Sequence, residues 1–181
     1  MVLNDQLLVD RFNEVVLPFL GDALSLARWL TGNATDAEDV VQEACIHAFN
    51  GIAGYSGGSA RAWLLTIVRR TSYRWIERNR PRNEKSVGDV IDLEEATSEA
   101  GVSLSPEGGP EANLIANESA AMLAAAISAL PKPFRETLIL RDINELSYRE
   151  IATVLELPAG TVMSRLARAR GLLKIELEKK S

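Results

Sequence analysis

The sequence predicts an all-α protein made of two small helical domains joined by a flexible acidic linker. Three observations carry that reading. Apolar residues recur at helical spacing through both ends, as with Val162, Leu166, Ala169 and Leu173 at i, i+4, i+7 and i+11. Between the ends, residues 83–112 (NEKSVGDVIDLEEATSEAGVSLSPEGGPEA) mix acidic residues with Gly, Ser and Pro and keep no sustained period. Such a stretch buries too little apolar surface to order itself. The charge is also uneven. Residues 1–82 hold nine Lys/Arg against nine Asp/Glu, residues 83–128 one against nine, and residues 129–181 ten against seven. The net charge of −5 therefore lives in the middle, and both ends remain free to meet phosphate.

Composition removes several functional classes. The longest weakly polar run, Ala120–Ile127, is far too short to cross a bilayer. The start, MVLNDQLLVDRF, lacks a basic segment followed by an apolar one, so no signal peptide is expected and the chain is placed in the cytoplasm. Cys45 is the single cysteine and His47 the single histidine, which leaves no internal disulfide and no ordinary zinc set. No cofactor is expected.

Residues 4–31 read as one or two helices. Leu7, Leu8, Phe12, Val15, Val16 and Phe19 precede Gly21, and Leu24, Ala27 and Leu30 follow it, with Pro18 placed to divide the stretch and Gly32-Asn33 to end it. Thr35 and Glu38 stand at capping-box spacing before a helix over Asp36–Asn50. That helix turns Val40, Val41, Ala44 and Ala48 one way. Asp39, Gln42, Glu43 and Ile46 share another face at i, i+3, i+4 and i+7, which periodicity alone reads as solvated surface. Paired carboxylates there invite an acid–base reading, but a helix's first turn favours negative charge anyway and nothing nearby supplies a nucleophile. The enzyme reading is rejected.

Gly51–Ser59 (GIAGYSGGS) is a glycine-rich loop with neither the spacing nor the lysine of a phosphate-binding loop. Ser59 caps a helix from about Ala60 to Arg80, with Leu64, Ile67, Val68, Thr71 and Trp75 inward. Arg70, Arg74 and Arg78 form a row at i, i+4 and i+8, joined by Arg69, Arg80 and Arg82, with Trp63 and Tyr73 interleaved. Cations beside aromatic rings suit single-stranded nucleic acid, since bases stack on rings while the cations follow the backbone. The alternative is that Trp63 and Trp75 anchor the core and the arginines only solvate.

After the linker, a helix over 113–130 carries Leu114, Ile115, Met122, Leu123, Ile127 and Leu130. Pro131-x-Pro133 restarts a helix with Phe134 and Leu138 inward, and Asp142–Asn144 forms the next turn. Ser147 and Glu150 make a capping box for a short helix burying Ile151, Ala152, Val154 and Leu155, and Glu156-Leu157-Pro158 breaks it. The last helix begins near Pro158–Gly160. Opposite its apolar stripe it carries Thr161, Ser164, Arg165 and Arg168, the layout of a helix-turn-helix that reads DNA. Pattern alone also fits a helical hairpin with solvated arginines.

The wording of these segments resembles one family, the extracytoplasmic-function sigma factors. PAGTVMSRLARAR (158–170) is similar to the family's minus-thirty-five-reading helix, and LPKPFRETLILRD lies where the fourth sigma region precedes it. DAEDVVQEACIHAF and RAWLLTIVRR resemble runs of the second region. The resemblance implies three segments: a second-region bundle over 1–82, a linker over 83–112 and a fourth-region helix-turn-helix over 113–181. It implies that Asp39, Gln42, Glu43 and Ile46 dock on the clamp helices of the polymerase's largest subunit, the fourth region meeting the flap. It implies that Tyr55 and Ser56 in the loop, with Trp63 at the start of the next helix, help to capture an unstacked minus-ten base. Arg69, Arg70 and Arg74 would hold the opened strand, and Thr161, Ser164, Arg165 and Arg168 would enter the minus-thirty-five major groove. Arg70 stands where the family often has Asn, and Met163 where it usually has Lys.

The expected partners are core RNA polymerase, promoter DNA and an anti-sigma factor. Because no sensing part is evident, the DNA-reading faces and the polymerase face are expected to be open in the free chain until such a partner covers them. The rival reading is a sigma-mimicking adaptor that binds an anti-sigma factor without reading DNA. Outward Arg165 and Arg168 argue against it.

Overall fold

The computed structural model describes residues 2–79 and 110–180, with side chains over 5–79 and 118–179. Among the described residues there are eight α-helices and no strand. The first four are α1 (Val2–Val16), α2 (Leu20–Thr31), α3 (Ala34–Gly51) and α4 (Ala60–Asn79). Pro18 divides α1 from α2 by way of a short 3-10 turn, Leu17–Phe19, and Gly32 ends α2 in the left-handed region at φ 70°. Glycine adopts that conformation without a Cβ penalty, so the chain reverses there.

The start of α3 departs from the expected capping box. Asn33, not Thr35, is the N-cap: its side chain accepts the Asp36 backbone N–H at 3.1 Å, and the helix begins at Ala34. Asn caps as well as Thr or better, and taking the earlier site gains two residues of helix. Ser59 does cap α4, accepting the Ala62 N–H at 3.1 Å.

α2, α3 and α4 pack on one another, with α1 laid along α3 and α4. Leu26, Val40, Leu64, Leu65 and Val68 are the largest side chains fully buried among them. Leu7, expected on the apolar face of α1, is instead 67% exposed, because the first turns of α1 extend past the bundle's contacts. Trp75 is half-buried, with its indole N–H unpartnered.

The second half holds α5 (Pro110–Ser128), α6 (Lys132–Leu138), α7 (Tyr148–Leu155) and α8 (Ala159–Lys180). Helix α5 begins at Pro110, three residues inside the expected linker. The rest of that linker lies outside the described residues, as do Arg80, Arg82 and the side chains of Leu114 and Ile115. Ile127 and Leu130 are buried as expected, but Met122 and Leu123 are exposed. The run AAMLAAAIS is weakly polar all round, so periodicity does not choose its inward face. The expected turn at 142–144 is a π-helical segment, Ile139–Ile143, that runs on from α6 and ends at buried Asn144. Such a segment lets the chain turn while Ile139 and Leu140 stay in the core.

The Ser147/Glu150 capping box is complete in both directions, and α7 ends at Glu156 with φ 56°. Helix α8 buries Val162, Leu166 and Ala169 against α6 and α7. The two halves are not separate. Helix α4 packs along α7, and the buried residues of both halves join in one apolar cluster.

Candidate polymerase and nucleic-acid interfaces

On α3, burial of Ala37, Val40, Ala44 and Ala48 turns Asp39, Gln42 and Ile46 outward, with Ile46 62% exposed beside exposed Phe49. Glu43, on the same face, is half-buried. It accepts a 2.6 Å bond from Arg78 of α4 and lies 3.5 Å from His47. The Arg78 bond and charge hold the Glu43 carboxyl below its ordinary range against the opposing effect of burial.

The glycine-rich loop is shaped by Tyr55. Its hydroxyl donates to the Gly58 carbonyl at 2.8 Å, closing a turn in which Gly57 and Gly58 take φ of 104° and 91°. Side chains other than glycine avoid that region. The Tyr55 ring lies 5.0 Å from the Trp63 ring, the Arg11 guanidinium carbon stands 5.9 Å from the Tyr55 ring centre, and Ser56 is exposed. The loop therefore presents an aromatic pair with glycine backbone beside it, a surface on which a base can stack.

The arginines of α4 are divided. Arg74 is exposed and has no carboxylate partner among the described residues. Arg69 and Arg70 face the second half of the chain. Arg69 donates from Nε at 3.0 Å and from Nη2 at 3.2 Å to the two oxygens of Glu136 on α6. Glu136, whose side chain is 4% exposed, also accepts from the Tyr73 hydroxyl, and Lys132 caps the Tyr73 ring at 3.6 Å. Burial, with the Glu136 charge, pushes the Tyr73 phenol far above its ordinary range. Arg69 is raised too: burial alone would lower it, and the Glu136 bond and charge more than offset that. Arg70 pairs with Glu156 at the α7–α8 turn.

On α8 the outward face is free. Thr161 and Arg165 are half-buried, and Ser164 and Arg168 exposed. Ser164 donates back to the Thr161 carbonyl at 3.0 Å. Neither Arg165 nor Arg168 has a side-chain partner among the described residues; Arg165 flanks the buried stripe of Val162 and Leu166, and Arg168 lies farther out. Arg170 is different: it grips Asp142 with bonds of 3.2 and 2.6 Å and ties α8 to the π-helical segment.

Comparison with known proteins gives the family. Residues 15–82 match the Sigma-70 region 2 family and residues 120–173 the Sigma-70, region 4 family. The chain is 34% identical over 178 residues to the ECF RNA polymerase sigma-E factor of Escherichia coli strain K12, covering 93% of this chain and 91% of that protein. The chain belongs to the ECF RNA polymerase sigma factors. The sigma-E factor of Haemophilus influenzae is 30% identical over 97% of this chain and 96% of its own. Two solved structures share the fold. One is sigma factor RpoE with the anti-sigma factor NepR from Bartonella quintana, with a TM-score of 0.70, 24% identity and coverage of 92% and 96%. The other is CnrH with the cytosolic domain of CnrY, with a TM-score of 0.65, 25% identity and coverage of 94% and 89%.

In this sigma factor, then, the fold gathers the expected clamp residues on one face of α3 and the expected minus-thirty-five residues on one face of α8. The expected minus-ten set is split. Tyr55, Ser56, Trp63 and Arg74 are reachable from solvent, while Arg69 and Arg70 are engaged within the chain. The expectation that all of these faces stand open is corrected for those two arginines and for Glu43, which is half-buried and holds Arg78. Glu136 and Lys132 were not singled out from sequence, Glu156 only as part of a helix break and Tyr73 only as a ring among the arginines. Glu136 shares a helix face with Leu140 at i+4, which marks it for burial, but its partner lies 67 residues away in the chain.

Proposed function

We propose that this chain is an alternative sigma factor. It binds core RNA polymerase, recognises minus-thirty-five and minus-ten promoter elements and promotes DNA opening at the start of transcription. The observation that carries the reading is the outward face of α8. Thr161, Ser164, Arg165 and Arg168 lie together on a capped helix-turn-helix whose other face is core, with both arginines unpaired among the described residues. Arg is the side chain best suited to bidentate contact with guanine in a major groove.

In this reading residues 1–82 act as the polymerase-binding and minus-ten part, 83–112 as the tether and 113–181 as the minus-thirty-five part. Asp39, Gln42, Glu43 and Ile46 meet the polymerase clamp. Tyr55, Ser56 and Trp63 receive an unstacked base, and Arg69, Arg70 and Arg74 hold the strand. Flipping a base costs a few kcal/mol, offset by stacking and pocket contacts, so binding alone opens the duplex without a catalytic group. The protein works in the cytoplasm and is held inactive there by an anti-sigma factor, the kind of partner named in the complex of sigma factor RpoE with NepR.

In vitro transcription with core polymerase over a promoter library tests the reading. Start sites that require this chain are expected. Transcription no different from core polymerase alone would defeat it.

A further inference from the structure

Away from the seam where α4 meets the second half, α1 brings a cation to the glycine-rich loop. Val16 is fully buried and the Phe12 ring meets the Phe49 ring edge-on at 5.5 Å, which fixes the roll of α1. Arg11, next to Phe12, is thereby turned to the loop. Its Nη2 donates to the Tyr55 carbonyl, and its guanidinium carbon lies 5.9 Å from the Tyr55 ring centre. Tyr55 is thus held through all of its polar groups, since its N–H donates to the Ile52 carbonyl at 3.2 Å and its hydroxyl to Gly58 at 2.8 Å. A guanidinium carries five N–H donors in a planar fork. Arg11 is exposed and has no carboxylate partner among the described residues, so the rest of its fork is available to an anion. The cations of α4 are placed differently. Arg61 is committed to Asp22 and the Asn144 carbonyl, and the row proper begins at Arg69, more than a helical turn beyond Trp63.

We propose that Arg11 is a further residue of the base-capture site: it fixes the Tyr55 backbone and gives its free N–H edge to a phosphate of the captured strand. This deepens the sigma-factor reading and rests on it. Single-strand sites combine rings on which bases stack with cations that follow the backbone. Tyr55 and Trp63 supply the rings, but neither can hold the charged part of a nucleotide. A base stacked there carries its sugar and phosphate past the ring edge, and Arg11 is the cation beside that ring. Arginine suits the place because a planar fork bonds a carbonyl and a phosphate oxygen in fixed directions, whereas a lysine ammonium is a point charge.

The test uses the full chain with core polymerase on a fluorescein-labelled promoter fork from a start site that the chain directs. The non-template minus-ten strand of the fork is left single, and its phosphates are replaced one at a time by uncharged methylphosphonates. With the wild type, at least one replacement is expected to weaken binding about tenfold, the scale of a hydrogen bond to a charged group. Arg11→Gln keeps an N–H for the Tyr55 carbonyl and removes the charge. It is expected to weaken binding to the unmodified fork by a similar factor and to lose sensitivity at that same phosphate. Its melting temperature should stay that of the wild type, because Arg11 is exposed. Arg11→Lys, which keeps the charge without the fork, is expected to recover part of the sensitivity. Full affinity in Arg11→Gln would overturn the inference. So would weakened affinity with the wild-type pattern of sensitive phosphates, which leaves Arg11 as a loop pin alone. Core-dependent transcription is measured alongside. Start sites directed by the wild type, together with either of those results, leave the sigma reading standing without Arg11. No start site at all defeats the sigma reading and this assignment with it.

Discussion

Helices α4 and α8 both carry arginines in rows at helical spacing, yet the fold treats the two rows oppositely. On α4, Arg69, Arg70 and Arg78 each hold a carboxylate, and Arg74 alone among the row's described members does not. On α8, Arg165 and Arg168 hold none among the described residues, and of its arginines Arg170, past the proposed reading face, is the one tied down. A row of arginines in a sequence therefore marks a capacity for anions without saying which anion fills it. In α8 the apolar stripe fixes one face to the core and the other side meets solvent. In α4 the helix lies between two halves of the molecule, and two of its basic positions meet glutamates instead of water.

The sharpest way to break this contrast is Arg69→Ala. It strands Glu136, a nearly fully buried carboxylate, with only the Tyr73 hydroxyl to hold it. Removing one partner of a buried pair costs roughly 3–5 kcal/mol, and the remaining hydroxyl puts this case at the lower end. The chain can relieve that cost by letting the halves separate, so calorimetry is expected to resolve two unfolding transitions where the wild type shows one. Arg165→Ala should do the reverse: no change in melting temperature, but about 1–3 kcal/mol less discrimination in the minus-thirty-five element. A binding-site selection that returns the wild-type preference would argue against α8 as the reader.

Much of this was legible in the sequence because its signals are local. Ser147 and Glu150 are three residues apart and specify the start of α7 by themselves. Val162, Leu166 and Ala169 fix the roll of α8, and with it the face that carries Arg165. The proposed polymerase face was legible only as surface, since Asp39, Gln42 and Ile46 are defined by what they do not bury. The seam was hidden for a different reason. Its pairs are 67 and 86 residues apart, on either side of the stretch around 83–109, and no spacing rule connects them. Asn33 was missed because two good caps lie two residues apart, and the run around Met122 because it is apolar on every side.

Smaller effects sharpen the same contrast at the helix-turn-helix. Ser147→Ala is expected to cost about 0.5–2 kcal/mol, read by urea unfolding, since it removes the acceptor for the Glu150 N–H. Burial alone would raise the Glu150 carboxyl, but the Ser147 backbone bond and the Ser59 and Ser147 hydroxyls bring it below its ordinary value of 4.5. A depressed carboxyl contributes stability that is full above that value and is lost as pH falls beneath it. The wild type should therefore lose stability as pH drops below about 4.5, and Glu150→Gln, which keeps the capping geometry, should flatten that slope. The smallest effect is expected for Arg170→Ala. Its pair with Asp142 is well formed but exposed, and such pairs contribute less than about 1 kcal/mol.

Permanganate mapping of unpaired thymines tests most directly whether this chain separates promoter strands by binding them. On a promoter that supports transcription, the chain with core polymerase is expected to make thymines in and downstream of the minus-ten element reactive. Neither component alone should do so. Thymines that stay protected when both are bound to the duplex would contradict the account.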